Sequence, residues 1–398
     1  MTAALSAVAV SVWHMRILHT SDWHLGRSFH REGLLDAQSA FVDHLVDVVR
    51  AESVDVVVVS GDIYDRALPA VDAVSLASDA LRRLLAAGIR VVMTSGNHDS
   101  APRLGFAAEL IDAAGVHLRT SADHVDTPVV VADRHGDVAI YGLPYLEPDL
   151  VRSGWGVTDR GHQGVLDEAM RRVRADLHGR PASTRSLVMA HAFVVGGEPC
   201  DSERDISVGG VSSVSRSTFA GVDYAALGHL HGRKVLSESV RYSGSPLAYS
   251  FSEARHRKGS WLVDLDESGL RDVTFVDAPV PRPLALLRGT IDSLLHDPRH
   301  AAAESAWVQA TVTDDARPQH AMERIRARFP HALVLRFEPA ASAARDPDRV
   351  PLRVARHSDA EVVGRFFSDV RGSAPDADEA DLLRAACDAC RISEDIAS

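Results

Sequence analysis

Apolar residues follow two alternating patterns along the chain from residue 16 onward. Short apolar runs predict buried strands, whereas longer stretches with apolar residues at every third or fourth position predict amphipathic helices. The predicted helices are residues 38–50 and 71–87, and Gly88 follows the second helix, where a C-terminus favours glycine. The predicted strands are residues 16–20, 54–60, 89–94, 187–190 and 224–227. This alternation is typical of a layered α/β domain.

Beyond residue 231 the predicted strands are shorter and are bounded by Gly and Ser turns, at residues 240–243, 261–266 and 270–276. This pattern predicts antiparallel hairpins. Pro279, Pro281 and Pro283 then favour an extended connector. A strand, helix, strand, helix, strand order follows, at residues 284–290, 292–304, 306–313, 318–329 and 332–338. We therefore expect a second, small α/β domain.

The C-terminal tail predicts two helices after residues 341–356. Ser358 and Glu361 form a capping-box pattern, and Asp376 with Glu379 marks another helix start. The first of these helices carries an apolar stripe of Val362, Val363, Phe366, Phe367 and Val370. The predicted organisation is a disordered leader at residues 1–14, a first domain at 15–280, a second at 281–345 and a helix-loop-helix tail at 346–398.

The composition of the 398-residue chain fits a globular protein of two to three domains. No apolar run approaches the roughly 18 residues of a membrane span, and three cysteines are too few for a disulfide framework, so we expect a cytoplasmic protein. The net charge of −12 argues against a surface devoted to nucleic acid. That charge is uneven, however, since residues 282–356 hold twelve Arg against nine acids, and residues 366–398 hold three Arg against eight acids.

Potential metal ligands follow each of the five predicted strands. In open α/β sheets the carboxyl ends of the strands converge on one site. Any one of these residues alone is more often a structural histidine or a turn carboxylate, but their joint placement predicts a metal site. The residues are Asp22 and His24, Asp62, Asn97 and His98, His191, and His229 with His231.

This set of side chains suits the hydrolysis of a phosphate ester. Two cations about 3.5–4 Å apart can hold the attacking and leaving oxygens of such a reaction. Asp62 is the natural bridge, because it lies between the two groups of ligands in sequence order and can offer both oxygens. Mixed imidazole, carboxylate and amide ligands fit Mn, Fe or Zn better than Mg or Ca.

These blocks, in this order, resemble the calcineurin-like metallophosphoesterases, and the opening segment HTSDWHLG at residues 19–26 narrows the resemblance to the SbcD nuclease subunits. The segments GDIYD at 61–65, GNHDS at 96–100, YSGSP at 242–246 and SFSE at 250–253 are also similar to that subfamily. The resemblance implies an α/β fold, a four-layer sandwich of two mixed sheets flanked by helices, with a small α/β capping domain and a C-terminal helical tail. The matching motifs are dense from residue 15 to about residue 278. Beyond that, the resemblance rests only on the order of the predicted elements.

The resemblance also implies roles for the site residues. One metal would be held by Asp22, His24, Asp62 and His231, and the other by Asp62, Asn97, His191 and His229. His98 would stay free of metal and act as general acid. Asp99 would either orient His98 or cap a turn. Relatives carry a histidine where Asp65 stands, so the role of Asp65 stays open.

A manganese-dependent DNA nuclease subunit is the function that the resemblance implies, with 3′-to-5′ exonuclease action on duplex ends and endonuclease action on single strands and hairpins. Its two divalent cations would be Mn²⁺. The second domain would grip DNA, although Arg324, Arg326 and Arg328 fit a solvated helix face better than phosphate contacts. An SbcC-type ATPase would be the partner, since the chain has no Walker P-loop.

Several alternatives remain at this point. The C-terminal helices would dock on a coiled coil of that ATPase or pack on their own capping domain. A homodimer is implied by the relatives. The chain could instead be a free-standing metallophosphoesterase acting on small phosphodiesters or phosphoproteins. A DNA-end scaffold with an inactive site is disfavoured by the intact ligand set.

Overall fold

The computed structural model describes residues 14–197, 200–204, 213–339, 358–371 and 373–397, with only the main chain of residues 369 and 390–397. The expected leader, apart from His14, and residues 341–356 lie outside this part of the chain. Residues up to Pro283 form one compact unit, and residues from Leu284 form another. Among the described residues, no helix combines the length and the apolar character needed to cross a bilayer.

The first unit alternates strands and helices. Its first half contains β1 (Met15–Thr20), β2 (Ser28–Phe29), β3 (Glu32–Gly33), α1 (Leu35–Ala51), β4 (Val56–Ser60), α2 (Val71–Ala86), β5 (Arg90–Thr94), α3 (Ala101–Leu104), α4 (Ala108–Asp112), β6 (Val116–Arg119), β7 (Val129–Asp133) and β8 (Gly136–Gly142). Its second half contains α5 (Pro148–Trp155), α6 (His162–His178), β9 (Arg185–His191), β10 (Tyr224–Gly228), β11 (Lys234–Val235), β12 (Val240–Tyr242), β13 (Gly259–Asp266) and β14 (Gly269–Asp277).

Two mixed six-stranded sheets form the middle of this unit. One has the order β14-β13-β1-β4-β5-β6 and the other β11-β12-β10-β9-β8-β7. Strands β1, β4, β5 and β6 are parallel, and so are β8, β9, β10 and β12. Strands β13 and β14 form the predicted antiparallel hairpin, whereas β12 pairs parallel to β10 and antiparallel to β11.

Strand alternation divides the core of the first unit into three apolar layers. Val56 and Val58 of β4 point into a layer shared by both sheets, whereas Val57 and Val59 point toward the helices on the other face. A third layer joins β8, β9 and β10 to helix α6. Because successive side chains of a strand point to opposite faces, strands covered on both faces are apolar throughout. The predicted α/β fold class, with two mixed sheets flanked by helices, is confirmed.

The second unit begins with a three-stranded parallel sheet and ends with two helices. Its elements are β15 (Leu284–Gly289), α7 (Ile291–His296), β16 (Trp307–Val312), α8 (Ala321–Arg328), β17 (Ala332–Phe337), α9 (Asp359–Arg371) and α10 (Ala377–Ala397). The helix predicted at residues 292–304 is wrong in its second half. Helix α7 ends at His296, and a short 3-10 helix starts at Pro298, because proline lacks an N–H and disfavours helical backbone in Asp297 before it.

Hydrogen bonds at both tail helices confirm the predicted starts. The N–H of Glu361 donates to Oγ of Ser358 at 3.3 Å, and the N–H of Ser358 donates to the Glu361 carboxylate at 2.8 Å. Asp376 and Glu379 make the same reciprocal pair at 2.9 Å each way.

The three arginines of α8 are bound within their own unit. Arg324 pairs with Asp292 at 3.2 Å, Arg328 pairs with Glu304 at 3.0 Å, and Arg326 donates to the carbonyl of Ala332.

Candidate metal centre

The loops after β1, β4 and β10 are bonded to one another, which brings their polar side chains together. The N–H of Asp22 donates to the carbonyl of Gly61 at 3.1 Å, and the N–H of His24 donates to the carbonyl of Asp62 at 3.0 Å. From the second sheet, the N–H of His229 donates to Oδ1 of Asp22 at 3.0 Å. The carboxyl ends of strands from both sheets therefore meet at one edge of the sandwich.

One group of ligand atoms surrounds His24. Its Nε2 lies 3.0 Å from Nε2 of His231 and 3.6 Å from Oδ2 of Asp62. Ligand atoms of Asp22, His24 and His231 all lie within 4.8 Å of one another, and the three residues are buried. Donors about 2.0–2.2 Å from one cation and at right angles around it would lie about 3 Å apart. The spacing of this group fits a divalent cation.

A second group surrounds the side-chain oxygen of Asn97. Oδ1 of Asn97 lies 2.8 Å from Nε2 of His191 and 3.3 Å from Nδ1 of His229. Nε2 of His191 also lies 3.5 Å from Oδ2 of Asp62. Oδ2 of Asp62 is therefore close to both groups, while its Oδ1 accepts a hydrogen bond from the N–H of His98 at 2.9 Å. Asp62 faces the two groups with one oxygen rather than with both.

In the second group acceptor atoms lie close to one another, an arrangement that a positive charge between them would stabilise. Nδ1 of His191 donates to the carbonyl of Ser60 at 3.0 Å, so the neutral ring has a lone pair on Nε2. That lone pair faces the Asn97 oxygen. Burial lowers the pKa of His191, but the adjacent Asp62 carboxylate outweighs burial and raises the pKa to about 9. A proton on Nε2, or a divalent cation in its place, would supply such a charge.

Burial also perturbs the other candidate ligands. It raises the pKa of Asp22 to about 6 and holds the pKa values of His24 and His229 well below the usual histidine range. Burial opposes ionisation of Asp62 as well, but His191 outweighs it and keeps the pKa of Asp62 well below its usual range. Neutral imidazoles and an ionised carboxylate are the protonation states that bind metal.

The main chain is strained at four candidate ligands. Asp22, His24, Asp62 and His229 have φ values of 53°, 44°, 51° and 102°, in the left-handed region that side chains other than glycine rarely adopt. Each such residue costs on the order of 1–3 kcal/mol, and strain of this kind concentrates at functional sites.

His98 and Asp99 have separate partners. Nδ1 of His98 bonds to the main-chain carbonyl of Asp65 at 2.9 Å. The Asp99 carboxylate accepts hydrogen bonds from the N–H groups of Ile63, Tyr64 and Gly96, each at 3.0 Å. These hydrogen bonds of Asp99 are those of a turn cap, and the ring of His98 bonds to the main chain of Asp65.

Residues 15–233 match the model of the calcineurin-like phosphoesterases. The chain belongs to this family. Its members bind a dinuclear metal centre, and the two ligand groups around Asp62 agree with such a centre. A second model, SbcD_C, described as the type 5 capsule protein repressor C-terminal domain, matches residues 280–371.

Two solved structures resemble this phosphoesterase at low identity. One is GAP50, the anchor in the inner membrane complex of Plasmodium, with 11% identity and a TM-score of 0.42, covering 83% of this chain and 98% of that one. The other is a dimetal phosphatase from Danio rerio, with 14% identity and a TM-score of 0.38, covering 67% of this chain and 100% of that one.

The phosphoesterase site also contains residues that the sequence patterns did not single out. Ser202 and Glu203 contact His231, and Arg204 donates to the carbonyl of Asn97 at 2.9 Å. These three residues lie in a loop rather than at a strand end, so the pattern that found the ligands could not find them. Lys258 was not singled out either, and it forms a buried ion pair with Glu253, the last residue of the segment SFSE. The rarity of lysine, with only Lys234 and Lys258 in the chain, was the available signal for Lys258.

Proposed function

We propose that this phosphoesterase is a manganese-dependent DNA nuclease subunit that works with an SbcC-type ATPase in processing DNA ends. The observation that carries the proposal is the joint match of one chain to a calcineurin-like phosphoesterase and, from residue 280, to SbcD_C. Exonuclease action from 3′ to 5′ on duplex ends and endonuclease action on hairpins and single strands are part of the proposal.

The proposed ligands are those of the two groups described above. Asp22, His24, Asp62 and His231 would hold one cation, and Asp62, Asn97, His191 and His229 the other. Bound divalent cations would polarise the scissile phosphate and acidify the attacking water. The mixed nitrogen and oxygen donors support Mn²⁺ over Mg²⁺, which prefers oxygen ligands.

His98 is the proposed general acid. Since its Nδ1 carries the proton donated to Asp65, its Nε2 is the nitrogen left to exchange a proton with substrate. A protonated Nε2 would stabilise the charge on the phosphate and then protonate the departing sugar oxygen. The main-chain N–H of His98 also donates to Oδ1 of Asp62. The proposed general acid and the proposed bridging ligand would therefore be joined by a direct hydrogen bond.

The central experiment is cleavage of linear duplex DNA by the purified protein with Mn²⁺, with and without an SbcC-type ATPase. We expect cleavage by the wild type and its loss in Asp62→Ala and His98→Ala. Unchanged cleavage by Asp62→Ala would contradict a metal bridge at this residue. Hydrolysis of small phosphodiesters with no DNA cleavage under any of these conditions would instead indicate a free-standing phosphoesterase.

We also propose that residues 281–345, which lie in the second unit from Leu284 onward, form a DNA-capping domain and that residues 346–398 form a partner-docking tail. Support for docking comes from Phe366, Val370 and Leu382, whose relative exposures of 67%, 69% and 71% leave apolar surface on α9 and α10 uncovered. We expect Phe366→Asp to abolish co-purification with the ATPase. Gly364→Asp adds the same charge where, among the described residues, a Cβ would meet no atom within 4 Å, and this variant should still co-purify with the ATPase. Binding that survives Phe366→Asp would contradict docking through this face.

A homodimer is also proposed, on the basis of the resemblance alone. Light scattering of the purified protein should give twice the chain mass, and a monomer at all concentrations would contradict it.

A further inference from the structure

His231 is held at three points by residues outside the proposed ligand set. Its main-chain N–H donates to Glu203 at 2.6 Å, and its carbonyl accepts from Nζ of Lys258 at 2.7 Å. Nδ1 of its ring lies 2.6 Å from Oγ of Ser202. Both the main chain and the ring orientation of His231 are therefore determined by neighbouring polar groups.

These neighbours form a buried chain of hydrogen bonds. Oγ of Ser202 donates to Oε1 of Glu253 at 2.5 Å, and the other oxygen of Glu253 pairs with Lys258. The side chain of Glu253 is 0% exposed and that of Lys258 is 5% exposed. Removing one partner of such a network leaves a buried polar group unpaired, which makes each member matter to the others.

The direction of these hydrogen bonds determines where the proton of His231 lies. An ionised carboxylate can only accept, so the single hydrogen of the Ser202 hydroxyl points to Glu253. Ser202 must then accept from His231, which places the ring proton on Nδ1. The lone pair of His231 is consequently on Nε2, which faces Nε2 of His24 at 3.0 Å.

The ring of His24 has no such support. Within the described part of the chain, Nδ1 of His24 is buried and has no hydrogen-bond partner. Oδ1 of Asp65 lies 3.8 Å from this nitrogen, which is too far for a hydrogen bond. His24 can therefore carry its proton on Nε2 and donate it to His231 while no cation is present. One ring of the pair is fixed, and the other is free to change tautomer.

We propose that Ser202, Glu253 and Lys258 are positioning residues that fix the Nδ1–H tautomer of His231 and thereby set the affinity of the cation site that His231 shares with His24. The inference rests on the proposed function, since it assumes that this site takes a cation. In the other cation site the tautomer of His191 does not depend on these three residues, because Nδ1 of His191 donates to the main-chain carbonyl of Ser60. We call Ser202, Glu253 and Lys258 the relay. A substitution in the relay therefore lowers the affinity for one cation and leaves the affinity for the other unchanged.

The choice of lysine at position 258 follows from the same geometry. The chain has 43 basic residues, of which only Lys234 and Lys258 are lysine. Nζ of Lys258 directs its three hydrogens to His231, Ser245 and Glu253, which lie around a single point. A compact ammonium satisfies this arrangement, whereas the planar fork of arginine does not. Lys258→Arg should therefore behave like a loss of the relay although it keeps the charge.

Binding of Mn²⁺ to the full chain, followed by calorimetry and by electron paramagnetic resonance, tests the relay. We expect two ions per wild-type chain. Ser202→Ala should lower the affinity for one ion by about 10–100-fold and leave the affinity for the other unchanged. This is the usual effect of removing a hydrogen-bond partner of a histidine ligand. Ser202→Thr keeps the hydroxyl and should retain both affinities, as should Ser121→Ala, which removes an exposed capping hydroxyl. Two ions bound to Ser202→Ala with wild-type affinities would overturn the proposal.

Nitrogen-15 spectra of the histidine rings in metal-free protein separate this inference from the proposed function. The wild type should show His231 with its proton on Nδ1, and Ser202→Ala should lose that preference while melting cooperatively. A proton on Nε2 of wild-type His231 would overturn the relay. If the tautomer is as expected but no Mn²⁺ binds, the relay stands as the device that fixes His231 and the proposed metal-dependent function fails.

Discussion

Nδ1 of His98 donates a hydrogen bond to the main-chain carbonyl of Asp65 at a distance of 2.9 Å. A carbonyl can only accept, so the proton of the neutral ring is on Nδ1 and its other nitrogen is unprotonated. The rings of His98 and His24 meet edge to face, with centroids 4.7 Å apart. His98 is therefore next to the proposed metal ligands, and ligand atoms of His24, Asp62 and His98 lie within 4.8 Å of one another.

A general acid at this position should matter most when the leaving group is a poor one. We expect His98→Ala to reduce kcat on DNA by about 10²–10⁴-fold, because the sugar oxygen departs as an alkoxide without a proton. The loss should be much smaller on bis(p-nitrophenyl) phosphate, whose leaving group needs no proton. Asp62→Ala, as the comparison, should lose activity equally on both substrates. Equal losses in His98→Ala would argue against acid catalysis.

Metal binding should stabilise the fold through Asp62. Adding Mn²⁺ at about 100 times its Kd should stabilise the wild type by about 3 kcal/mol per site, visible as a rise in Tm, because the ion binds only the folded state. Asp62→Asn should show little of this rise, since both ligand groups lose the oxygen that they share. Asp36→Asn, on the exposed first turn of α1, should respond like the wild type. An undiminished rise in Asp62→Asn would contradict a shared ligand.

The sequence predicted β1 and β4 well because side chains on both faces of these strands are buried. The apolar run of β4 and the run that ends β1 need no context to be recognised, and the ligands follow directly after them. The predicted strands do not include β6, β7 or β8, although β8 is buried on both faces as β4 is. In β7 the burial alternates, with Val130 exposed at 44% between buried neighbours, so an edge strand of this kind carries a weaker signal.

The site was predictable as far as strand ends define it. Asp22 and Asp62 follow parallel strands of one sheet, whose topology brings them to one edge, whereas His191 ends a strand of the other sheet and joins them only because the two sheets pack together. The partners of these residues are not at strand ends. Ser202 contacts His231 from a loop, and Lys258 contacts it from the position just before β13, so only the folded chain reveals those contacts.

Gly96 should tolerate no side chain, because the Asp62 carboxylate occupies the space beside it. A Cβ at this position would lie 2.1 Å from Oδ1 of Asp62 and 2.4 Å from its main-chain nitrogen. We expect Gly96→Ala to lower the free energy of unfolding by about 1–3 kcal/mol, as overpacking commonly does, and to weaken Mn²⁺ binding. Gly154→Ala, where a Cβ meets nothing within 4 Å, is the matched control for urea denaturation and calorimetry. Normal Mn²⁺ affinity in Gly96→Ala would be contrary to this prediction.

His19 should make the first domain sensitive to acid. It is fully buried between the two sheets, where Nδ1 bonds to the Tyr224 hydroxyl at 3.1 Å and Nε2 to the Leu227 carbonyl at 3.2 Å. Burial lowers its pKa to about 3, below the value of the unfolded chain, so unfolding takes up a proton and stability falls as pH falls below about 6.5. Between pH 8 and pH 5 this should cost about 2 kcal/mol. Urea denaturation with chelator should show that loss in the wild type relative to His19→Gln, which does not titrate. A stability difference between the two proteins that is independent of pH would contradict a buried neutral imidazole.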